Sequence, residues 1–184
     1  MTVLRHLALA GIAALAVTVA PASAALKKGD RAPAFKAQAY LAGKPFTFDL
    51  AKALKKGPVV VYFFPAAYTA GCNLEARQFS VAIDRFKAHR TTVIGLSAGN
   101  VDKLAAFSKE TEHCGGRFAV GADPGAKIAR EYDAVLAKKP EWSDRTSYVI
   151  SPDGRIAAAY SDLNPNRHVQ EMLDAVAALP ASKK

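Results

Sequence analysis

Two cysteines, Cys72 and Cys114, carry the most informative chemistry of this 184-residue chain. Cys72 closes the segment Pro65-Ala66-Ala67-Tyr68-Thr69-Ala70-Gly71-Cys72. An apolar run at residues 58–64 precedes it and reads as a buried strand. A segment of helical periodicity follows. Cys72 therefore stands where a strand gives way to a helix. The free N–H groups of a helix start carry partial positive charge. That charge favours a thiolate over a thiol, and the thiolate is the form of cysteine that reacts. The alternatives for Cys72 are an inert buried thiol or half of a structural bridge to Cys114.

The elements that must position these residues follow from pattern. Residues 34–48 alternate around Ala42-Gly43-Lys44, which predicts an N-terminal hairpin. A short helix over 49–56 ends at Gly57. Beyond Cys72, a helix to about residue 89 places Phe79, Ala82, Ile83 and Phe86 on one buried face. A second apolar strand covers 91–96. Asn100 is the expected cap of a helix reaching about residue 112, with Leu104 and Phe107 inward. A short strand at 118–120 and a short helix opened by Pro124-Gly125 come next. Residues 134–144, polar and containing Pro140, read as a loop.

Two strands at 146–151 and 156–160 flank the turn Pro152-Asp153-Gly154. The closing helix starts at Asn164-Pro165, a cap followed by proline in the first turn. Its buried stripe is Val169, Met172, Leu173 and Val176. This order predicts an α/β, thioredoxin-like fold with an N-terminal β-hairpin extension and a small insertion before the last hairpin. The first two core strands should be parallel, because a helix crosses between them. Cys72 then lies at the C-terminal edge of the sheet, where sites of open α/β sheets form.

Composition restricts the remaining possibilities. Arg5 and His6, an apolar stretch over 7–20 and the small residues Ala22-Ser23-Ala24 form the layout of a secretory signal peptide. Cleavage there leaves one domain over 25–180 and a short tail at 181–184. An uncleaved membrane anchor is the alternative, although the apolar stretch falls short of the roughly 20 residues of a bilayer span. The expected location is the periplasm, where disulfides persist. The chain carries a formal charge of +9, and removal of Arg5 leaves about +8. Its lysines come in short pairs, such as Lys55-Lys56 and Lys138-Lys139, and no basic block supports nucleic-acid binding. His89 and His168 read as surface residues near helix ends. His113 and Cys114 are adjacent, a poor arrangement for holding one metal ion. Trp142 could dock a partner or cover the core.

With Pro65, Thr69 and Cys72 in place, the chain resembles the peroxiredoxins, whose signature is Pro-x-x-x-Thr-x-x-Cys. Residues 29–35, Gly-Asp-Arg-Ala-Pro-Ala-Phe, look like the usual start of that domain. Arg145-Thr146-Ser147-Tyr148-Val149-Ile150 resembles the strand that carries the family's active-site arginine. Tyr68-Thr69-Ala70-Gly71-Cys72 and Glu75 point to the bacterioferritin-comigratory-protein subgroup. The resemblance implies a thiol peroxidase that reduces hydrogen peroxide or organic hydroperoxides, with a thioredoxin-like protein or a small thiol as reductant. It implies no metal, flavin or haem, and a monomer or weak dimer. It also implies roles for Cys72, Thr69, Arg145 and Pro65 in catalysis.

Physical chemistry gives those roles content. Lowering a thiol pKa from about 8.5 to about 6 raises the thiolate fraction at neutral pH about thirtyfold, or roughly 2 kcal/mol. An efficient enzyme needs more. The rest must come from holding both peroxide oxygens and stabilising charge as their bond breaks. Thr69 offers a hydrogen bond close to the sulfur, or is an ordinary helix cap. Arg145 supplies a cation with several donors, or is a surface arginine. Pro65 would shield the sulfur, and the Gly71 and Cys72 N–H groups could complete the site. Glu75 either orients Arg145 or favours the helix start.

The chain departs from the subgroup at Asn73, commonly threonine, and at Arg77, where many relatives carry a second cysteine. Cys114 is then the internal candidate for resolving a sulfenic acid. Its helix should carry it about 18 Å from the active edge, beyond the roughly 7 Å between Cα atoms that a disulfide allows. A direct bridge would require local unfolding, which Gly115-Gly116 would permit, or a partner chain. A thiol–disulfide oxidoreductase on the same fold is the second functional reading, but it favours Cys-x-x-Cys. A thioredoxin-like binding or metallochaperone module is the third.

Overall fold

A computed structural model describes residues 25–180. The expected signal peptide at 1–24 and the tail at 181–184 lie outside the described residues. The N-terminal hairpin forms as expected, with β1 (Lys36–Leu41) antiparallel to β2 (Lys44–Asp49). Ala42 and Gly43 turn between them, both at positive φ. Helix α1 (Leu50–Leu54) follows, capped by the Asp49 carboxylate, which accepts from the Lys52 N–H.

The apolar run becomes β3 (Val59–Phe63), buried at every position. It pairs in parallel with β4 (Thr92–Ser97) across the helix α2 (Ala70–Ala88). Next come a single 3-10 turn at Val101–Lys103, α3 (Leu104–Lys109), β5 (Ala119–Ala122) and α4 (Lys127–Glu131). A small hairpin pairs β6 (Val135–Leu136) with β7 (Lys139–Ser143). Then β8 (Thr146–Ile150), β9 (Ile156–Ser161), a 3-10 turn at Pro165–Arg167 and α5 (His168–Ala177) complete the described chain.

The main sheet has seven strands in the order β2-β1-β5-β4-β3-β8-β9. The pleat of β3 sends Val60, Tyr62 and Phe64 into one core and Val59, Val61 and Phe63 into the other. The first core holds Phe79, Ile83 and Phe86 from α2, Leu104 and Phe107 from α3, and Met172, Leu173 and Val176 from α5. The second holds Leu50 of α1, Ala129 of α4 and Tyr132. Strands buried on both faces, with helices on either side, explain why β3 reads as a continuous apolar run.

Three local expectations are corrected. Residues 134–144 form the β6–β7 hairpin, not a loop; Pro140 fits because this two-stranded ribbon leaves edge positions with no ladder donor to supply. Asn100 does not cap a helix with its side chain. It sits at φ +52, and its amide donates to the Ala67 carbonyl at 2.8 Å. The helix expected to reach residue 112 stops at Lys109, because Glu110 is extended. The chain then turns back toward α2 through Gly115 and Gly116, both at positive φ.

Candidate active site

Strand β3 delivers the chain to Pro65, which leaves the sheet. The Pro65 carbonyl accepts from Ser97 Oγ at 3.1 Å and from the Gly99 N–H at 3.2 Å. A Cβ on Gly99 would lie 2.5 Å from that carbonyl, so only glycine permits the approach. Tyr68 follows at φ +64, a costly conformation for a bulky residue. Its hydroxyl donates to Glu110 Oε1 at 2.9 Å, and its ring meets Phe107 and His113 edge-on.

Thr69 is the N-cap of α2 by backbone position, yet its side chain makes no capping bond. The hydroxyl instead donates to the Ala66 carbonyl at 3.1 Å. That bond uses the hydroxyl proton and leaves the oxygen free to accept. The first-turn N–H groups, those of Gly71 and Cys72 among them, thus receive no cap from the Thr69 side chain. Cys72 is the third residue of α2 and is 1% exposed.

Arg145 stands immediately before β8, which lies beside β3 in the sheet. Its side chain is 5% exposed and is held by three acceptors. Nε donates to the Leu163 carbonyl at 2.8 Å, Nη1 to Glu75 Oε2, and Nη2 to Cys72 Sγ at 3.4 Å. Burial works against the Arg145 cation, but Glu75 and the Cys72 sulfur outweigh it and hold the guanidinium charged. Gly71 makes room for this contact, since a Cβ there would lie 3.1 Å from Nη2.

Glu75 lies one turn after Cys72 on α2, fully buried. The structure thus joins it to Arg145 rather than leaving it as a solvated acid at a helix start. Burial raises its pKa to about 8, against the pull of Arg145. Behind it stands a residue that sequence reasoning misplaced. His168 is not on the surface but fully buried, with Nδ1 3.6 Å from Glu75 Oε1. The spacing His168, Met172, Val176 is the signal that could have revealed it, because it continues the inward stripe of α5 by one turn. His89, by contrast, is exposed as expected.

Cys114 is not at the sulfur of Cys72. Both are free thiols, both are buried, and a structural bridge does not form. The Cys114 carbonyl accepts from Ser80 Oγ at 3.0 Å, eight residues along α2 from Cys72. Eight residues of helix correspond to about 12 Å. The returning segment therefore packs Cys114 against α2 about two turns beyond Cys72, and the two thiols stand unbridged in the folded chain. Burial pushes the Cys114 thiol far up, which makes it unreactive in place.

The site therefore joins Cys72, Arg145 and Glu75 by direct contact, carries Thr69 on the same turn, and keeps Cys114 apart. A thioredoxin-like sheet with a buried cysteine at a helix start and a guanidinium on its sulfur defines the peroxiredoxin class of thiol peroxidases. Residues 28–159 match the AhpC/TSA family, and the chain belongs to it. It is 29% identical over 138 residues to the chloroplastic peroxiredoxin Q of Sedum lineare, covering 74% of this chain and 71% of that one. It is 32% identical over 120 residues to the chloroplastic peroxiredoxin Q of Gentiana triflora, covering 65% of this chain and 54% of that longer protein. The crystal structure of peroxidoxin BcpB from Mycobacterium tuberculosis superposes with a TM-score of 0.73 at 26% identity. That match covers 84% of this chain and 99% of that one. The fold, the family and the bacterioferritin-comigratory-protein likeness read from Cys72 and its neighbours all agree with these relatives.

Proposed function

We propose that Cys72 is the peroxidatic residue of this thiol peroxidase. The observation that carries the assignment is the 3.4 Å contact from Arg145 Nη2 to Cys72 Sγ. The Cys72 thiolate attacks one oxygen of hydrogen peroxide or a small organic hydroperoxide. A sulfur–oxygen bond forms as the oxygen–oxygen bond breaks. The leaving hydroxide or alkoxide takes a proton from water, and Cys72 is left as a sulfenic acid. Arg145 stabilises the thiolate and the charge that develops on the oxygens. The Thr69 hydroxyl, its own proton engaged by Ala66, accepts from the bound peroxide. Uncapped first-turn N–H groups receive the leaving oxygen. Pro65, fixed through its carbonyl, shields the sulfur, and Glu75 orients Arg145.

The sulfenic acid is then reduced by a thioredoxin-like protein or a small thiol. Cys114 serves as resolving residue only if residues 110–116 leave α2, which breaks the Tyr68–Glu110, Arg77–Thr111 and Ser80–Cys114 contacts. The chain acts as a monomer or weak dimer in the periplasm, a location supported by the signal-peptide pattern of residues 1–24. Among the described residues no helix is long and apolar enough to cross a membrane. Peroxide consumption by the reduced protein tests the proposal. The Cys72→Ser variant should consume none, and full activity in that variant would refute it.

A further inference from the structure

Glu75 and His168 are both fully buried behind Arg145, and their hydrogen bonding is incomplete in one informative way. Glu75 uses Oε2 to accept from Arg145. Its other oxygen, Oε1, makes no hydrogen bond to another protein group among the described residues. His168 Nδ1 lies 3.6 Å from it. The state of that nitrogen can be deduced. His168 Nε2 lies 2.8 Å from the Asp162 carbonyl, which can only accept, so Nε2 carries a hydrogen. Nδ1, 2.8 Å from Ser147 Oγ, is then an acceptor in the neutral ring. A bare carboxylate oxygen would face an acceptor lone pair in a dry interior, the least favourable pairing available. A proton added to the pair removes that conflict: carried on Oε1, it presents a neutral carboxyl to the ring and leaves the Nδ1 lone pair to the Ser147 hydroxyl.

Charge balance points the same way. With Glu75 ionised and Cys72 a thiolate, the buried cluster holds two anions against the single cation of Arg145. One added proton leaves a neutral cluster in which the whole guanidinium charge faces the sulfur. We propose that Glu75 and His168 together hold one buried proton behind Arg145, and that His168 is thereby a positioning residue of the peroxidase reaction. This rests on the functional reading above and extends it: the pair sets how much of the Arg145 charge reaches Cys72.

The groups facing the pair come from every packed element. Cys72 stands with Glu75 on α2, Arg145 immediately precedes β8, Ser147 lies in β8, and Tyr62 stands near Glu75 on β3. The Tyr160 ring of β9 meets the His168 ring edge-on at 4.8 Å, followed by Asp162. Arg167 and Glu171 lie beside His168 in its own turns. Burial raises the Glu75 pKa to about 8, while burial first and then Arg145 push that of His168 down. Both directions keep the proton on the carboxyl side and the ring neutral, and the two groups titrate as a unit.

The peroxide rate constant of the full chain should therefore fall as pH rises past about 8, by about tenfold between pH 7 and pH 9. Glu75→Gln places a neutral amide where the protonated carboxyl stood, so its ratio of rates at pH 7 and pH 9 should lie near one. His168→Asn should move the midpoint of the fall, whereas His89→Asn at an exposed position should not. NMR of the His168 ring in the native chain should show a step at the same midpoint, lost in Glu75→Gln. A native rate that does not fall between pH 7 and 9, or a His168 signal with no step there, would overturn the proposal. So would a midpoint unmoved by His168→Asn. A native chain that consumes no peroxide would instead defeat the functional reading, and the NMR step would still decide the shared proton.

Discussion

Removing the guanidinium separates two effects that a single activity measurement confounds. Arg145 Nη2 lies 3.4 Å from Cys72 Sγ. Two unit charges at that distance attract by about 5 kcal/mol at an effective dielectric of 20, before desolvation is subtracted. What a variant loses in practice is closer to the value of one oxyanion donor, roughly 3–4 kcal/mol, or 10²–10³ in rate. Loss of thiolate alone accounts for at most about thirtyfold. Arg145→Ala should therefore slow reaction with hydrogen peroxide about a thousandfold, and alkylation by iodoacetamide no more than about thirtyfold. Alkylation needs the anion but develops no charge on a leaving oxygen. Arg145→Lys keeps a cation, but one ammonium cannot serve the Leu163 carbonyl, Glu75 and the sulfur together. It should lose about a hundredfold with peroxide. Both rates are measured on the same protein under the same conditions, with a thermal melt to establish folding. Equal losses in the two reactions would refute the reasoning, because Arg145 would then act on the thiolate fraction alone.

Three further outcomes follow from the geometry. Gly71→Ala should cut the peroxide rate about tenfold while leaving the melting temperature nearly unchanged, since the new methyl crowds Nη2 but suits a helix; an unchanged rate counts against the tight placement of Arg145. For Glu75 the folded pKa lies above the unfolded value, so the folded state holds the extra proton. Stability contributed by that proton is complete below about pH 4 and lost as pH rises toward 8. Urea midpoints should decline over that window, and Glu75→Gln should flatten the decline. Native Cys114 should resist alkylation until about the urea midpoint, because burial disfavours its thiolate; early labelling would show residues 110–116 opening on their own.

The parts of the fold legible in the sequence are those where local pattern and tertiary role coincide. Residues 58–64 are apolar because β3 is covered on both faces, and Phe79, Ile83 and Phe86 recur because α2 covers one of them. The parallel pairing of β3 and β4 then follows from the crossing helix, and Cys72 falls at the sheet edge. Elements settled by distant partners were harder to read. Among the described residues the β6–β7 hairpin pairs with no other strand, and its β7 half, exposed over Lys139, Pro140 and Glu141, shows no alternating buried face. The end of α3 at Lys109 is settled by groups on α2 that bind the returning chain, Arg77 and Ser80, which no local signal announces. Thr69 has the residue type and position of a cap, but its hydroxyl turns to the Ala66 carbonyl instead of a first-turn N–H. His168 reads as a surface residue because Glu75 and Ser147, which enclose it, come from distant segments, and only its spacing to Met172 and Val176 marks it as inward.

Mass spectrometry of the reduced chain after one equivalent of hydrogen peroxide tests the assignment of Cys72 most directly. The expected result is complete loss of peroxide with Cys72 oxidised and every residue other than the two cysteines unchanged. It would appear either as one added oxygen at that residue or as two hydrogens lost in a link to Cys114. Persistent peroxide with an unmodified Cys72, or oxidation falling on the methionines instead, would contradict it.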